Sequence, residues 1–388
     1  MTTLHVLPVP AGPAVVEVLP TLRDLLDGRT PALLPVPAGD ERETARLSVA
    51  LAPGEPIGDD IALVVATSGT TGTPKGAMLT AAALHASGTA THDRLGGPGS
   101  WLLPLAAHHI AGMQVLLRSV LAGTDPVVVD VSAGFDPAVL PAAVAAMSSG
   151  HKYTSLVPTQ LVKALDVPAA VEALAELDAI LIGGAATPAA LQARAAAAGL
   201  RLVRTYGMSE TCGGCVYDGL PLDGARIRVA ADVAGGPGRV LLGGDMLASG
   251  YRGLPDHPAF AEPGWFRTDD AGTLVDGVLT VAGRLDEAIS TGGLTVVPQV
   301  VEAALAEHPA VRECAVVGLP DERLGQKVVA VVVPASGATV TLDALREVVC
   351  ARLDPTAAPR ELHLVDALPL RGPGKVDRRT LADRLTRA

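Results

Sequence analysis

The 388 residues, 49% hydrophobic and 18% charged, suffice for two or three domains with a substantial core and exclude a disordered chain. A formal net charge of −11 excludes a general binder of nucleic acid or anionic membrane, yet leaves room for a local basic site that takes an acidic ligand. The opening Met1-Thr2-Thr3-Leu4-His5 lacks the basic and apolar segments of a leader, and no run reaches the ~20 apolar residues that cross a bilayer, so a cytoplasmic protein without membrane insertion is expected.

Residues 1–60 alternate apolar patches with proline and glycine; helices are expected around 15–26 and 40–50, and the segment reads as scaffold. Ile61 to Ala66 is a short apolar, β-branched run that predicts a buried strand, and residues 77–90 read as a helix. Between them lies Thr67-Ser68-Gly69-Thr70-Thr71-Gly72-Thr73-Pro74-Lys75-Gly76, expected as a loop from strand to helix. Its glycines let successive N–H groups curl toward one point, its hydroxyls add donors, and Lys75 adds a mobile positive charge, a set that suits a polyphosphate. It is not a Walker A loop, because Pro74 precedes the lysine and Gly76 follows it.

Trp101 to Met113 places His108 and His109 after a strand and before a helix, where pocket residues of open α/β sheets lie. From the residues alone they are either a structural pair or a ligand-binding pair. Arg118 interrupts the apolar helix that follows and must reach either solvent or a partner, such as a substrate carboxylate. From residue 126 to 202 strand and helix patterns alternate, which implies a mostly parallel sheet covered on both faces. Gly183 and Gly184 end one strand and let a flat ring approach the backbone.

The segment Arg201 to Thr211 delivers Tyr206, Gly207, Glu210 and Thr211 from the end of a strand. Tyr206 can stack on a purine, Glu210 can supply oxygen to Mg²⁺ and Thr211 can donate to a phosphate. Cys212 and Cys215 form one Cys-x-x-Cys without a second pair, which reads as structural or pocket-lining. Asp269 and Asp270 form an acidic pair, and a carboxylate suits a ribose diol. The last hundred residues read as a compact α+β unit, with strands at 315–319 and 327–333, a helix at 342–353, and Lys375 on a Gly/Pro loop.

Ser-Gly-Thr-Thr-Gly-x-Pro-Lys-Gly and Tyr-Gly-x-Ser-Glu closely resemble motifs of the adenylate-forming enzymes: acyl-CoA synthetases, luciferases and peptide-synthetase adenylation domains. The resemblance runs through nearly the whole chain after residue 60, and the portion before the phosphate loop is shorter than is usual in that family. It implies an α/β fold: a large N-terminal domain of mostly parallel sheets over residues 1–283 and a small mobile C-terminal α+β domain over 284–388, joined by a hinge. It also implies ATP and Mg²⁺ as cofactors and coenzyme A as co-substrate.

By that resemblance Thr67, Ser68, Gly69, Thr70, Thr71, Gly72 and Lys75 hold phosphates, Gly184 and Tyr206 the adenine, and Asp270 and Arg284 the ribose. Glu210 holds the metal, Thr211 donates to a phosphate, and Lys375 is the catalytic lysine. His109 matches the family histidine three residues before a glycine, with His108 as the alternative. Gly283-Arg284-Leu285-Asp286 resembles the hinge with Asp286 as pivot, and Gly292-Gly293 the loop that serves the thiol step. Asp269 stands where the family has glycine, and Gln299 where it has glutamate, a change expected to be tolerated.

Within the family, His109 with Arg118 and the run from Tyr206 through Gly207 to Gly219 look most similar to the o-succinylbenzoate–CoA ligases of menaquinone biosynthesis. A small dicarboxylic acid is then the expected substrate, with His109, Arg118 and Gly207 lining its pocket and a homodimer among the expected assemblies. The rivals are a ligase for another aryl or medium-chain acid and a non-catalytic nucleotide-binding regulator.

Overall fold

The computed structural model describes residues 2–67, 74–230, 237–371 and 375–387, the side chains of 370, 371, 375 and 387 excepted. The chain opens with β1 (Thr2–Val9), α1 (Leu19–Leu26), β2 (Ala32–Pro37), α2 (Glu41–Leu51), β3 (Pro56–Ile57), β4 (Ile61–Thr67) and β5 (Lys75–Thr80). Next come α3 (Ala81–Leu95), β6 (Ser100–Leu103), α4 (Ile110–Ala122), β7 (Val127–Val128), α5 (Leu140–Ala145) and β8 (Lys152–Leu156). Then follow α6 (Pro158–Leu165), α7 (Pro168–Ala175), β9 (Ala179–Ile182), α8 (Ala189–Ala197), β10 (Leu202–Met208), β11 (Gly213–Tyr217) and β12 (Leu220–Pro221).

Residue contacts group the chain into two units, Met1–Arg228 with Leu241–Arg267, and Val229–Val240 with Thr268–Ala388. The first unit holds a five-stranded sheet in the order β3-β1-β2-β4-β5 and a seven-stranded sheet in the order β12-β11-β10-β9-β8-β6-β7. Strands β1, β2 and β4 run parallel, as do β7, β6, β8, β9 and β10, while β5, β11 and β12 turn back antiparallel. Among the parallel strands β2, β4, β6, β8 and β9 are buried on both faces along most of their length, as crossover helices require, while β1, β7 and β10 are only partly covered. Leu102, Leu156, Ile180 and Ile182 pack with Leu140, Val144, Leu161 and Leu174 from the helices.

Two local expectations are corrected. Residues 77–80 are the end of strand β5, not the start of a helix, so the phosphate-loop motif joins two antiparallel strands. Val65 pairs with Ala77 and Val64 with Met78, and the helix begins only at Ala81, where Thr80 Oγ1 accepts from Ala83 N at 3.0 Å. Ala-Met-Leu suits either state, and the vacant edge of β4 decides. The first sixty residues also contribute parallel strands. Pro8 sits in β1 without cost because β3 pairs only with Thr2 and Thr3, leaving no donor wanted beside the proline.

After β13 (Ala225–Ala230) and β14 (Gly238–Gly244) come β15 (Trp265–Val275) and β16 (Val278–Arg284), a hairpin pairing Asp270 with Arg284 at one end and Val275 with Val278 at the other. That hairpin keeps residues 268–283 with the second unit. The remainder is β17 (Ile289–Thr291), β18 (Leu294–Val296), α9 (Pro298–Leu305), β19 (Val311–Asp321), β20 (Gly325–Pro334), α10 (Leu342–Cys350), β21 (Glu361–Leu364), β22 (Leu370–Arg371), β23 (Lys375–Val376) and α11 (Arg378–Arg387). Alternation along β20 divides its core: Val328, Ala330 and Val332 face α9 and α10, while Val329, Val331 and Val333 share a cluster with Leu381 of α11.

Candidate active site

His109, Gly184, Tyr206 and Glu210 lie at or just beyond the ends of parallel strands, while Lys75 opens β5 and Arg118 lies within α4. Beyond β6, His109 is the N-cap of α4 and its ring lies 4.1 Å from that of His108. Gly112 closes this turn, since a Cβ there would meet the Ala106 carbonyl oxygen at 2.5 Å. Burial, followed by the charge of its neighbour, pushes His108 down to about 4, so its imidazole is neutral at pH 7. Beyond β9 come Gly183 and Gly184, and beyond β10 a single turn of 3₁₀ helix, Ser209–Thr211, carries Glu210. Gly207 has φ 157°, and a Cβ there would lie 2.1 Å from the Gly213 carbonyl oxygen, so β11 can return this closely only past glycine. Tyr206 is half-buried at the end of β10.

Glu210 is buried at 6% exposure, and the Tyr251 hydroxyl donates to its Oε1 at 2.5 Å. Lys75, at the start of β5 opposite Thr67, sets its ammonium 4.9 Å from the centre of the same tyrosine ring and 3.2 Å from His257 Nε2. An acidic and a basic arm therefore meet on one aromatic side chain. Ser68, Gly69, Thr70, Thr71 and Gly72 lie outside the described residues. Thr211 is buried at 1% and its hydroxyl, 2.7 Å from the Gly213 carbonyl oxygen, also accepts from Met208 N at 3.0 Å. That hydroxyl ties the turn beneath Glu210 to the start of β11. Among the described residues no three acidic, histidine or cysteine side chains cluster around a point. A single buried carboxylate is the donor set that fits Mg²⁺ taken up chiefly through substrate phosphates.

Behind α4 runs a buried polar seam. Arg118 is 3% exposed; its Nη2 donates to the Tyr217 hydroxyl at 3.4 Å and its guanidinium lies 5.2 Å from the Trp101 ring. The solvent-reaching alternative is thereby excluded. Its Nε is without a partner, and so is Oε1 of Gln114, one turn earlier on the same helix. Burial pushes the guanidinium pKa down from its ordinary value, and among the described residues no carboxylate pairs with it. Gln114 Nε2 donates to the Cys212 carbonyl at 2.6 Å, and Ser87 Oγ donates to it at 3.3 Å. Cys212 and Cys215 are buried thiols held above their usual pKa, Cys215 at about 12, so both stay protonated and structural.

In the second unit Asp270 is 8% exposed, its N–H donates to Thr268 Oγ1 at 3.0 Å, and Arg284 Nη1 lies 3.7 Å from its Oδ1. Arg284 forks onto Asp286, both contacts at 2.7 Å, which raises the guanidinium pKa. The proposed pivot side chain is thus occupied by the proposed ribose ligand. Gly292 and Gly293, at φ 58° and 81°, make the two-residue turn between β17 and β18, a conformation that demands positive φ at both positions.

Gln299 Oε1 accepts from Arg284 N at 3.2 Å while its Nε2 donates to Glu287 Oε2 at 2.5 Å. Arg378 donates to Glu287 at 2.8 Å and forks onto Glu302, which in turn accepts from Val316 N at 2.7 Å. This network fixes the first residue of α11, three positions beyond Lys375. Lys375 itself pairs with Arg371 in the β22–β23 hairpin, and its side chain lies outside the described residues.

Sequence reasoning passed over Tyr251 and His257. The available signal was Gly250-Tyr251-Arg252-Gly253, a turn carrying one of only four tyrosines in the chain. Comparison with known proteins supports the reading of the motifs. A family model described as AMP-binding enzyme matches residues 14–252, and one described as AMP-binding enzyme C-terminal domain matches residues 300–375. A Mycobacterium tuberculosis (strain CDC 1551 / Oshkosh) protein named "Probable 2-succinylbenzoate--CoA ligase" is 60% identical, across 99% of this chain and 98% of that protein. A feruloyl-CoA synthase from Amycolatopsis sp is 33% identical, across 92% and 75%.

The solved structure of o-succinylbenzoate CoA synthetase (MenE) from Bacillus subtilis, in complex with the acyl-adenylate intermediate OSB-AMP, has a TM-score of 0.75. It is 24% identical, covering 98% of this chain and 88% of that one, a likeness of fold. The fold, the motifs at the strand ends and these matches over almost the full length converge, and the chain belongs to the AMP-binding enzyme family.

Proposed function

We propose that the protein is an AMP-forming acid–thiol ligase that activates 2-succinylbenzoate with ATP and passes the acyl group to coenzyme A, acting in the cytoplasm in menaquinone biosynthesis. The observation that carries it is Arg118: a buried cation without an acidic partner among the described residues, nine residues past His109, where a dicarboxylate would supply the missing charge. The 60% identity over full length supports the same substrate.

One carboxylate oxygen of the acid attacks the α-phosphorus of ATP, and pyrophosphate leaves. The acid is already ionised at neutral pH, so no base is required, and the obstacle is the approach of two anions. Lys75, the phosphate-loop amides and Lys375 reduce that repulsion by placing fixed positive charge and donors at the phosphates, and loss of one such donor typically costs ~10²–10³ in rate. Glu210 would hold Mg²⁺, which supplies charge neutralisation on the phosphates when bound. Tyr206 stacks on the adenine against Gly184, Asp270 and Arg284 take the ribose, and His109 with Gly207 lines the acyl pocket.

In the second step the thiolate of coenzyme A attacks the acyl carbonyl and AMP leaves. Lys375 serves the first step and Gly292-Gly293 the second, with Asp286 as the pivot that exchanges them. The exchange requires Arg284 to release its fork on Asp286. Release of AMP and formation of 2-succinylbenzoyl-CoA on mixing ATP, Mg²⁺, coenzyme A and 2-succinylbenzoate is the expected result. AMP release with ferulate or another aryl monocarboxylate in place of 2-succinylbenzoate would favour the alternative that the feruloyl-CoA synthase match suggests.

A further inference from the structure

The strap that follows β14 in the first unit binds both arms of the nucleotide site. Ala248 N donates to the Glu210 carbonyl at 2.8 Å, Ser249 N to Met78 O at 2.9 Å, Met78 N to Gly250 O at 3.0 Å, and Arg252 N to Gly76 O at 2.8 Å. The strap thereby zips onto β5 directly after Lys75 and onto the turn that carries Glu210. Its outer end is clamped by Arg252, whose guanidinium donates to the carbonyls of Leu51, Ala52, Glu55 and Pro56. The side chain at the centre of this strap is Tyr251, 4% exposed and packed edge-on against Phe260 at 5.2 Å and His257 at 4.7 Å.

A phenol is suited to this place. It orients a carboxylate by donating one neutral hydrogen bond, so Glu210 keeps its full negative charge, whereas an arginine there would neutralise it. The face of the same ring attracts an ammonium through its quadrupole and leaves that ammonium its own charge. We infer that Tyr251 is a positioning residue for the metal–nucleotide complex: its hydroxyl sets the Glu210 carboxylate, its ring sets the Lys75 ammonium, and one rigid side chain fixes the spacing of the acidic and basic arms. The inference rests on the assignment of Glu210 to Mg²⁺ and Lys75 to phosphate.

Tyr251→Phe keeps the ring and its packing and removes only the hydroxyl; Tyr251→Leu removes both. ATP binding is measured calorimetrically in EDTA and across a Mg²⁺ titration, beside thermal melts and Glu210→Gln. Tyr251→Phe is expected to bind metal-free ATP within about twofold of the parent but to require ~10-fold more Mg²⁺ for half-maximal enhancement, the loss of one hydrogen bond to a charged group. Tyr251→Leu is expected also to weaken metal-free ATP binding ~3-fold or more, through Lys75. An unchanged Mg²⁺ requirement in Tyr251→Phe, or an equal loss with and without metal, overturns the inference. If Glu210→Gln raises the Mg²⁺ requirement and Tyr251→Phe does not, only the role of Tyr251 falls; if neither does, the metal assignment of Glu210 falls with it.

Discussion

Replacing Arg118 by leucine separates what the buried cation does for the fold from what it does for the substrate. Within the fold Arg118 gains little: one 3.4 Å contact to the Tyr217 hydroxyl and the face of Trp101, with Nε left unpaired. Against this stands the desolvation of a cation at 3% exposure, which costs several kcal/mol when uncompensated. Leucine fills much of the same volume, so the variant is expected to be as stable as the parent or up to ~2 kcal/mol more stable. A substrate carboxylate that meets Arg118 makes a charge-assisted hydrogen bond worth ~1.5–3 kcal/mol, which corresponds to a rise in KM for 2-succinylbenzoate of ~10–100-fold. The assay is denaturant unfolding together with steady-state AMP release, run with 2-succinylbenzoate and with an aromatic monocarboxylate. A KM that stays the same for the dicarboxylate, or equal losses for both acids with a destabilised fold, would refute the reasoning.

Lys375→Ala is expected to abolish acyl-adenylate formation while largely sparing thioester formation from preformed adenylate; single-turnover assays of each step check this, and equal loss in both sinks it. Gln299→Glu should destabilise the second unit by ~1–2 kcal/mol, because it sets a second carboxylate against Glu287 and removes the donor that Glu287 now accepts; a shifted urea midpoint with an unchanged slope is the expected record. His92 is 5% exposed, accepts from Trp101 Nε1 at 3.2 Å, and is held down to about 4 by burial and then by the charge of Arg118. Its folded pKa lies below the unfolded value near 6.5, so its contribution is complete above pH 6.5 and is lost as pH falls from there toward 4, by up to ~3 kcal/mol. His92→Gln, which keeps an acceptor for Trp101, should flatten the stability difference between pH 6.5 and 4.5; an unaltered slope would count against a neutral buried His92.

The motifs alone identified the family, and they supplied a list of candidate site residues that lacked Tyr251 and His257. Motifs such as Tyr206-Gly207-Met208-Ser209-Glu210 are short and chemically dense, and β–α alternation over 126–202 has one physical solution, a parallel sheet whose strand ends gather those motifs on one edge. Where local signals were neutral the tertiary structure decided. Residues 77–80 suit helix and strand alike, and the open edge of β4 made them strand. The prolines in 1–60 hid two parallel strands because a proline's missing donor matters only if a neighbour asks for it, which register alone reveals. Tyr251 and His257 stand 182 or fewer residues from the lysine they touch, and no periodicity carries information over such a separation. The amide of Gln299, matched on one side to a backbone N–H and on the other to Glu287, likewise acquires its meaning only once β16, α9 and the chain after β16 are folded together.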